Sequence, residues 1–145
     1  LLPELLQRLR SARADYCKTF RRLRSIPETV TELQDSFYLP CPEELKPRWN
    51  SWLQRWRDVL TSQSSLDVAA KAMVQVNPAI TWREWLVAPA YQRAEQEDYS
   101  LIAELQEVFR HPYATPADEH AQRMDQLKPR EFFNAGGVSH YSCSS

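Results

Sequence analysis

Glycine is almost absent from this 145-residue chain: only Gly136 and Gly137 occur, side by side near the end. A loop whose backbone cradles nucleotide phosphates needs several glycines ahead of a helix, so no such loop is present. Cysteine is also sparse. Cys17, Cys41 and Cys143 are odd in number and widely spaced, with no C-x-x-C; this indicates neither a disulfide framework nor a zinc site and favours a reducing, cytoplasmic compartment. Long apolar runs are missing, which argues against a membrane-spanning helix, and the first residues lack the basic-then-apolar order of a secretory signal. Charge of one sign is missing too: 18 basic and 19 acidic residues leave a net charge of −1, with no overall pull toward nucleic acid or anionic lipid. Valine and isoleucine are scarce and no stretch alternates with a period of two, so little β-sheet is expected. The chain starts at Leu1 rather than Met, which suggests that residues once preceded it.

What is present is helical periodicity. Leu2, Leu5, Leu6 and Leu9 recur at helical spacing, flanked by the i,i+4 pair Glu4 and Arg8. Asp15 can cap a second helix, with Tyr16, Phe20 and Leu23 on one face, Lys18, Arg21 and Arg22 on the other, and Ile26-Pro27 as its end. Prolines at 27, 40 and 42 bracket a weaker pattern of Val30, Leu33 and Phe37, which predicts a short helix and an irregular connection. The clearest stripe follows: Leu45, Trp49, Trp52, Leu53, Trp56, Val59 and Leu60 fall within an arc of about 120°. Ser64 or Ser65 can cap the next helix, with Leu66, Ala69, Ala70, Met73 and Val74, which Asn77-Pro78 interrupts.

Thr81 and Glu84 have capping-box spacing before Trp82, Trp85 and Leu86. Pro89 should kink or stop that helix within two turns, before it resumes through Ala94. Asp98 precedes a stripe of Leu101, Ile102, Leu105, Val108 and Phe109 that His111-Pro112 closes. Thr115-Pro116, with Asp118 and Glu119 behind it, reads as the start of a helix to Leu127. The fold class is therefore all-α, an irregular bundle of about six to eight helices. The expected division is a helical domain over 1–129 and an irregular tail over 130–145.

Few residues are arranged for chemistry. Arg8, Arg10, Arg13, Lys18, Arg21, Arg22 and Arg24 form a basic run that could contact phosphates, but a solvated or domain-facing helix surface fits the balanced charge better, and no nucleic-acid partner is expected. The five tryptophans at 49, 52, 56, 82 and 85 suit a packed helix seam more than a ligand box. His111 and His120 read as surface groups without a role. His140 and Cys143 are three apart, two ligands where zinc needs three or four; His140 can activate the Cys143 thiol, although a tail thiol without special reactivity is the plainer reading. No G-x-S-x-G, H-E-x-x-H or kinase-like H-R-D or D-F-G string occurs. On its residues alone the chain is a non-catalytic helical module with no catalytic, cofactor-binding or metal-binding residue.

Four strings add to that reading: DYCKTFRRL at 15–23, VNPAITWREWL at 76–86, AEQEDYSLIAELQEVFRHPY at 94–113 and SCSS at 142–145. In order and approximate spacing they resemble the C-terminal region of the selenoprotein O/YdiU family of protein adenylyltransferases. The resemblance implies that the chain is the C-terminal helical part of a kinase-like protein. The parent would transfer AMP from ATP to Ser, Thr or Tyr hydroxyls of protein substrates, using magnesium or manganese. The ATP and metal ligands would lie in an upstream kinase-like catalytic domain, its partner within the same protein. Family members end in a redox residue followed by two serines; here the match is Cys143 with Ser144 and Ser145, which implies a redox role for Cys143 through pairing with a cysteine of the catalytic region. The chain departs from the family at Glu84 (usually Asn), at Pro89 within a normally continuous helix, at Glu97 (usually Gly), and in LKPREFFNAGGVSHY at 127–141. The alternative is a stand-alone helical interaction module.

Overall fold

The computed structural model describes residues 1–134. Among these residues seven α-helices follow in order: α1 (Leu2–Ser11), α2 (Tyr16–Arg22), α3 (Lys46–Gln63), α4 (Leu66–Val76), α5 (Glu84–Ala94), α6 (Ser100–Arg110) and α7 (Glu119–Met124). Short 3-10 turns lie at Leu23–Ser25, Val30–Ser36, Glu43–Leu45 and Arg130–Phe132. Among the described residues there is no strand, only an isolated antiparallel bridge between Ala14 and Phe37. The fold class is all-α, an irregular helical bundle. The chain divides into two compact units, Leu1–Pro78 and Ala79–Ser145.

In the first unit the tryptophan stripe of α3 forms the centre. Trp49, Trp52 and Leu53 are buried, joined by Leu5, Leu9, Leu23, Val30, Leu33 and Phe37. Trp52 meets Trp49 edge-on at 6.4 Å and stacks on Trp56 at 5.9 Å, geometries that suit the ring quadrupoles. The Trp52 indole N–H donates to the Leu1 carbonyl at 2.9 Å, tying the first turn of α1 to α3. The stripe is not buried along its whole length: Val59 near the end of α3 is exposed, as are Leu2 and Leu6 of α1. The core takes in the side of α1 that carries Leu5 and Leu9, together with Ala12 just beyond its end.

Two predicted caps form, and a third stands where none was predicted. Asp15 accepts from the Lys18 amide at 2.9 Å and Ser65 from the Val68 amide at 3.3 Å, as expected, while Asp118, expected inside the first turn, instead caps its helix by accepting from the Ala121 amide at 2.7 Å; each satisfies a first-turn N–H that has no partner within its helix. The helix behind the Thr81–Glu84 spacing starts later than predicted: α5 begins at Glu84, with Arg83 rather than Thr81 at its N-cap. The preceding residues are held elsewhere, since Ala79 and Ile80 are buried and the Ala79 amide donates to the Pro112 carbonyl at 2.7 Å. Helix α7 is also shorter than predicted, running from Glu119 to Met124 rather than from Thr115-Pro116 to Leu127. Helix α5 runs through Pro89 without a break; proline removes one N–H there, while Trp85, Leu86, Val87, Ala88 and Ala90 are buried around it. That burial holds the helix where sequence alone suggests a stop.

Scarcity of glycine leaves its mark at the helix ends. Arg13, Ile26 and Glu97 take positive φ values of 50°, 52° and 63°, a region that costs a residue with a Cβ about 1–2 kcal/mol. At the end of α5 the Glu97 amide donates to Ala94 and the Asp98 amide to Arg93, both at 3.0 Å. This is a Schellman closure with glutamate at the position glycine usually fills. The end of α1 closes the same way, with the Arg13 amide on Arg10 and the Ala14 amide on Leu9.

Candidate functional site

The basic run near the start of the chain is divided among separate structural tasks. Arg21, expected on the outer face of α2, is buried at 7% exposure. Its Nη1 donates to the carbonyls of Val74 at 3.0 Å and Asn77 at 2.8 Å, the groups that the end of α4 leaves without N–H donors. Lys18 and Thr19 are buried as well, while Tyr16, predicted on the core face, is exposed with its ring 4.5 Å from Phe20. Helix α2 is thus rotated from its predicted setting, because placing a guanidinium on free carbonyls and against the positive pole's opposite end is worth more than burying one tyrosine. Arg22 pairs with Asp35 at 2.5 Å, and Arg8 donates to the carbonyls of Arg48 and Glu4, both at 3.2 Å.

The tryptophans divide as well. Trp49 is 1% exposed and Trp85 is buried, but Trp82 is 63% exposed, tilted against Phe109 at 6.0 Å. The core reading holds for four of the five and is corrected at Trp82, which lies in the extended stretch before α5. Cys41 is buried, and burial pushes its thiol pKa up; Cys17 is half-buried. Cys143, the sequence-predicted redox residue, lies outside the described residues, as do His140 and both glycines.

The second unit contains a cleft of about 450 Å³. Trp85, Leu101 and Phe132 supply apolar lining, with Phe132 brought from the Arg130–Phe132 turn to within 6.2 Å of the Trp85 ring. Arg93 of α5, Glu104 of α6, His120 and Arg123 of α7, and Glu131 supply the charged lining. His120 is the meeting point: its Nδ1 lies 2.7 Å from Arg123 Nη2 and 3.3 Å from Glu104 Oε2. Sequence reasoning left His120 without a role. The i,i+3 spacing of His120 and Arg123 was legible there; the approach of Glu104, from another helix, was not.

At the start of α6 the Asp98 carboxylate accepts from the Ser100 hydroxyl at 2.6 Å and the Ser100 amide at 3.0 Å. These bonds, the hydroxyl's first, hold its pKa below the ordinary value. Among the described residues no group of three or more His, Cys, Asp and Glu side chains is placed to hold a metal ion. No helix among the described residues is long and apolar enough to cross a membrane.

A family model described as protein adenylyltransferase SelO matches residues 1–110. The chain is 35% identical over 153 residues to the protein nucleotidyltransferase YdiU of Tolumonas auensis, covering 100% of this chain and 28% of that protein. It is 34% identical over 125 residues to the protein nucleotidyltransferase YdiU of Cronobacter sakazakii, covering 84% of this chain and 25% of that protein. The chain therefore spans only about a quarter of the length of these relatives. No solved structure matches.

Proposed function

Because the chain belongs to the SelO family, we propose that it is the C-terminal accessory segment of a protein adenylyltransferase, whose catalytic residues lie in a kinase-like region upstream. The family match across residues 1–110, combined with coverage of only 28% of a relative's length, is the observation that carries this reading. The whole protein, in the cytoplasm, would transfer AMP from ATP to Ser, Thr or Tyr hydroxyls of other proteins with magnesium or manganese. The helical segment would contribute packing surface to that catalytic region, and no atom to the reaction.

Cys143, next to Ser144 and Ser145 at the end of the sequence, would serve as a redox switch. Its thiol and a cysteine of the catalytic region would form a disulfide by giving two electrons and two protons to a peroxide, which is reduced to water. Such a bond would tether the end of the chain to the catalytic region and link AMP transfer to the redox state.

The test is AMP transfer from labelled ATP with a divalent metal, comparing this chain alone with the longest natural product of its gene. Label incorporation by the longer protein only is expected. Incorporation by neither would move the assignment to a stand-alone helical interaction module. In the longer protein, Cys143→Ser is expected to remove the difference in activity between peroxide-treated and reduced enzyme; an unchanged difference would reject the switch while leaving the accessory role standing.

A further inference from the structure

His120 Nδ1 faces two groups with opposite demands. An arginine guanidinium only donates hydrogen bonds, and Arg123 Nη2 stands 2.7 Å from that nitrogen. A carboxylate only accepts when ionised, and Glu104 Oε2 stands 3.3 Å from the same atom. One nitrogen cannot satisfy both at once. A neutral ring protonated at Nε2 offers Nδ1 as an acceptor to Arg123, whereas a doubly protonated ring donates from Nδ1 to Glu104 and repels the guanidinium.

We propose that protonation of His120 exchanges its partner from Arg123 to Glu104, a proton-driven switch between helices α6 and α7 at the wall of the second unit's cleft. Arg123 and His120 share α7, so in the neutral state their bond is internal to that helix. Glu104 belongs to α6, so the protonated state adds a bond between the two helices. The other charged groups lining the cleft are Arg93 of α5 and Glu131, one of each sign. Protonation therefore adds a positive charge to the wall and frees Arg123 from its bond to His120.

The test is an NMR titration of the His120 side chain in the 145-residue protein, followed through its two ring nitrogens. Glu104→Gln is expected to lower the proton affinity of His120 and Arg123→Gln to raise it, each by a factor of about two to five, as befits partly exposed pairs. His111, at the end of α6, serves as the internal reference and should titrate alike in all three proteins. Equal His120 midpoints in the three would overturn the switch. Independently of either variant, the nitrogen shifts of the unaltered protein at high pH should show the neutral ring protonated at Nε2. A neutral ring protonated at Nδ1 could not accept from Arg123, and would overturn it equally.

Discussion

Arg21 of α2 reaches the carbonyl of Asn77, 56 positions along the chain, at 2.8 Å, and the carbonyl of Val74 at 3.0 Å from the same Nη1. A side chain that reads from the sequence as solvated surface thus closes the end of α4 and is buried in doing so. Replacing it with methionine keeps the length of the side chain but leaves two carbonyls without a donor. Arg21→Met is expected to destabilise the first unit by about 2–4 kcal/mol, since charged hydrogen bonds are lost and buried acceptors are left unpaired. Urea unfolding followed by tryptophan fluorescence would measure this, and a loss below about 0.5 kcal/mol would show that water replaces the guanidinium without cost.

The tryptophans should separate sharply in the same assay. Trp49→Ala empties the centre of the first unit, where the ring is 1% exposed and meets Phe37 at 5.5 Å; a loss of about 3–5 kcal/mol is expected. Trp82→Ala, at a ring 63% exposed, should cost about 1 kcal/mol or less. Comparable losses at both positions would contradict the assignment of Trp49 to the core and Trp82 to the surface.

Glu97 occupies the Schellman position after α5 at a φ of 63°, where glycine is the residue that helix ends most often place. Glu97→Gly relieves the clash of a Cβ in the left-handed region but adds freedom to the unfolded chain. The net expectation is a gain of up to about 1 kcal/mol, read as a rise of a few degrees in Tm. A fall in Tm would mean that the glutamate side chain contributes more than the backbone conformation costs.

Acid should weaken the first unit partly through Glu32. Its carboxylate accepts from the amides of Thr29 and Glu28, both at 2.9 Å, and the Thr29 amide, first among the causes, holds its pKa below the ordinary 4.5. A group with a depressed folded-state pKa stabilises above its unfolded value and loses that contribution as the pH falls through the folded one. Stability should therefore drop below pH 4.5. Glu32→Gln retains an acceptor oxygen but does not titrate, so it should flatten this acid limb. Because Glu32 is exposed, the change should be small against the total stability.

Much of the fold was legible because helix formation leaves local signals. The stripe from Trp49 to Leu53, the Asp15 and Ser65 caps, and the apolar face from Leu101 to Phe109 are patterns at spacings of three and four, and those helices stand where the spacings put them. The Thr81–Glu84 spacing carried the same local signal and misled, because the bond from Ala79 to Pro112 holds the preceding chain out of the helix. The continuity of α5 through Pro89 was hidden for a related reason: a helix buried on several faces tolerates a missing hydrogen bond that an isolated one would not.

The sequence by itself determined that this protein is helical, where most helices lie, which aromatics can form a core, and which family it resembles. Those properties follow from side-chain periodicity, capping chemistry and short motifs, all of which operate within a few residues. Only the tertiary structure decided that Arg21 is buried beneath α4, that Trp82 is exposed, and that Glu104 and Arg123 converge on one nitrogen of His120. Each depends on groups brought together by chain reversal, where a desolvated charge must find its partner or remain in water, and no local spacing encodes which of these wins.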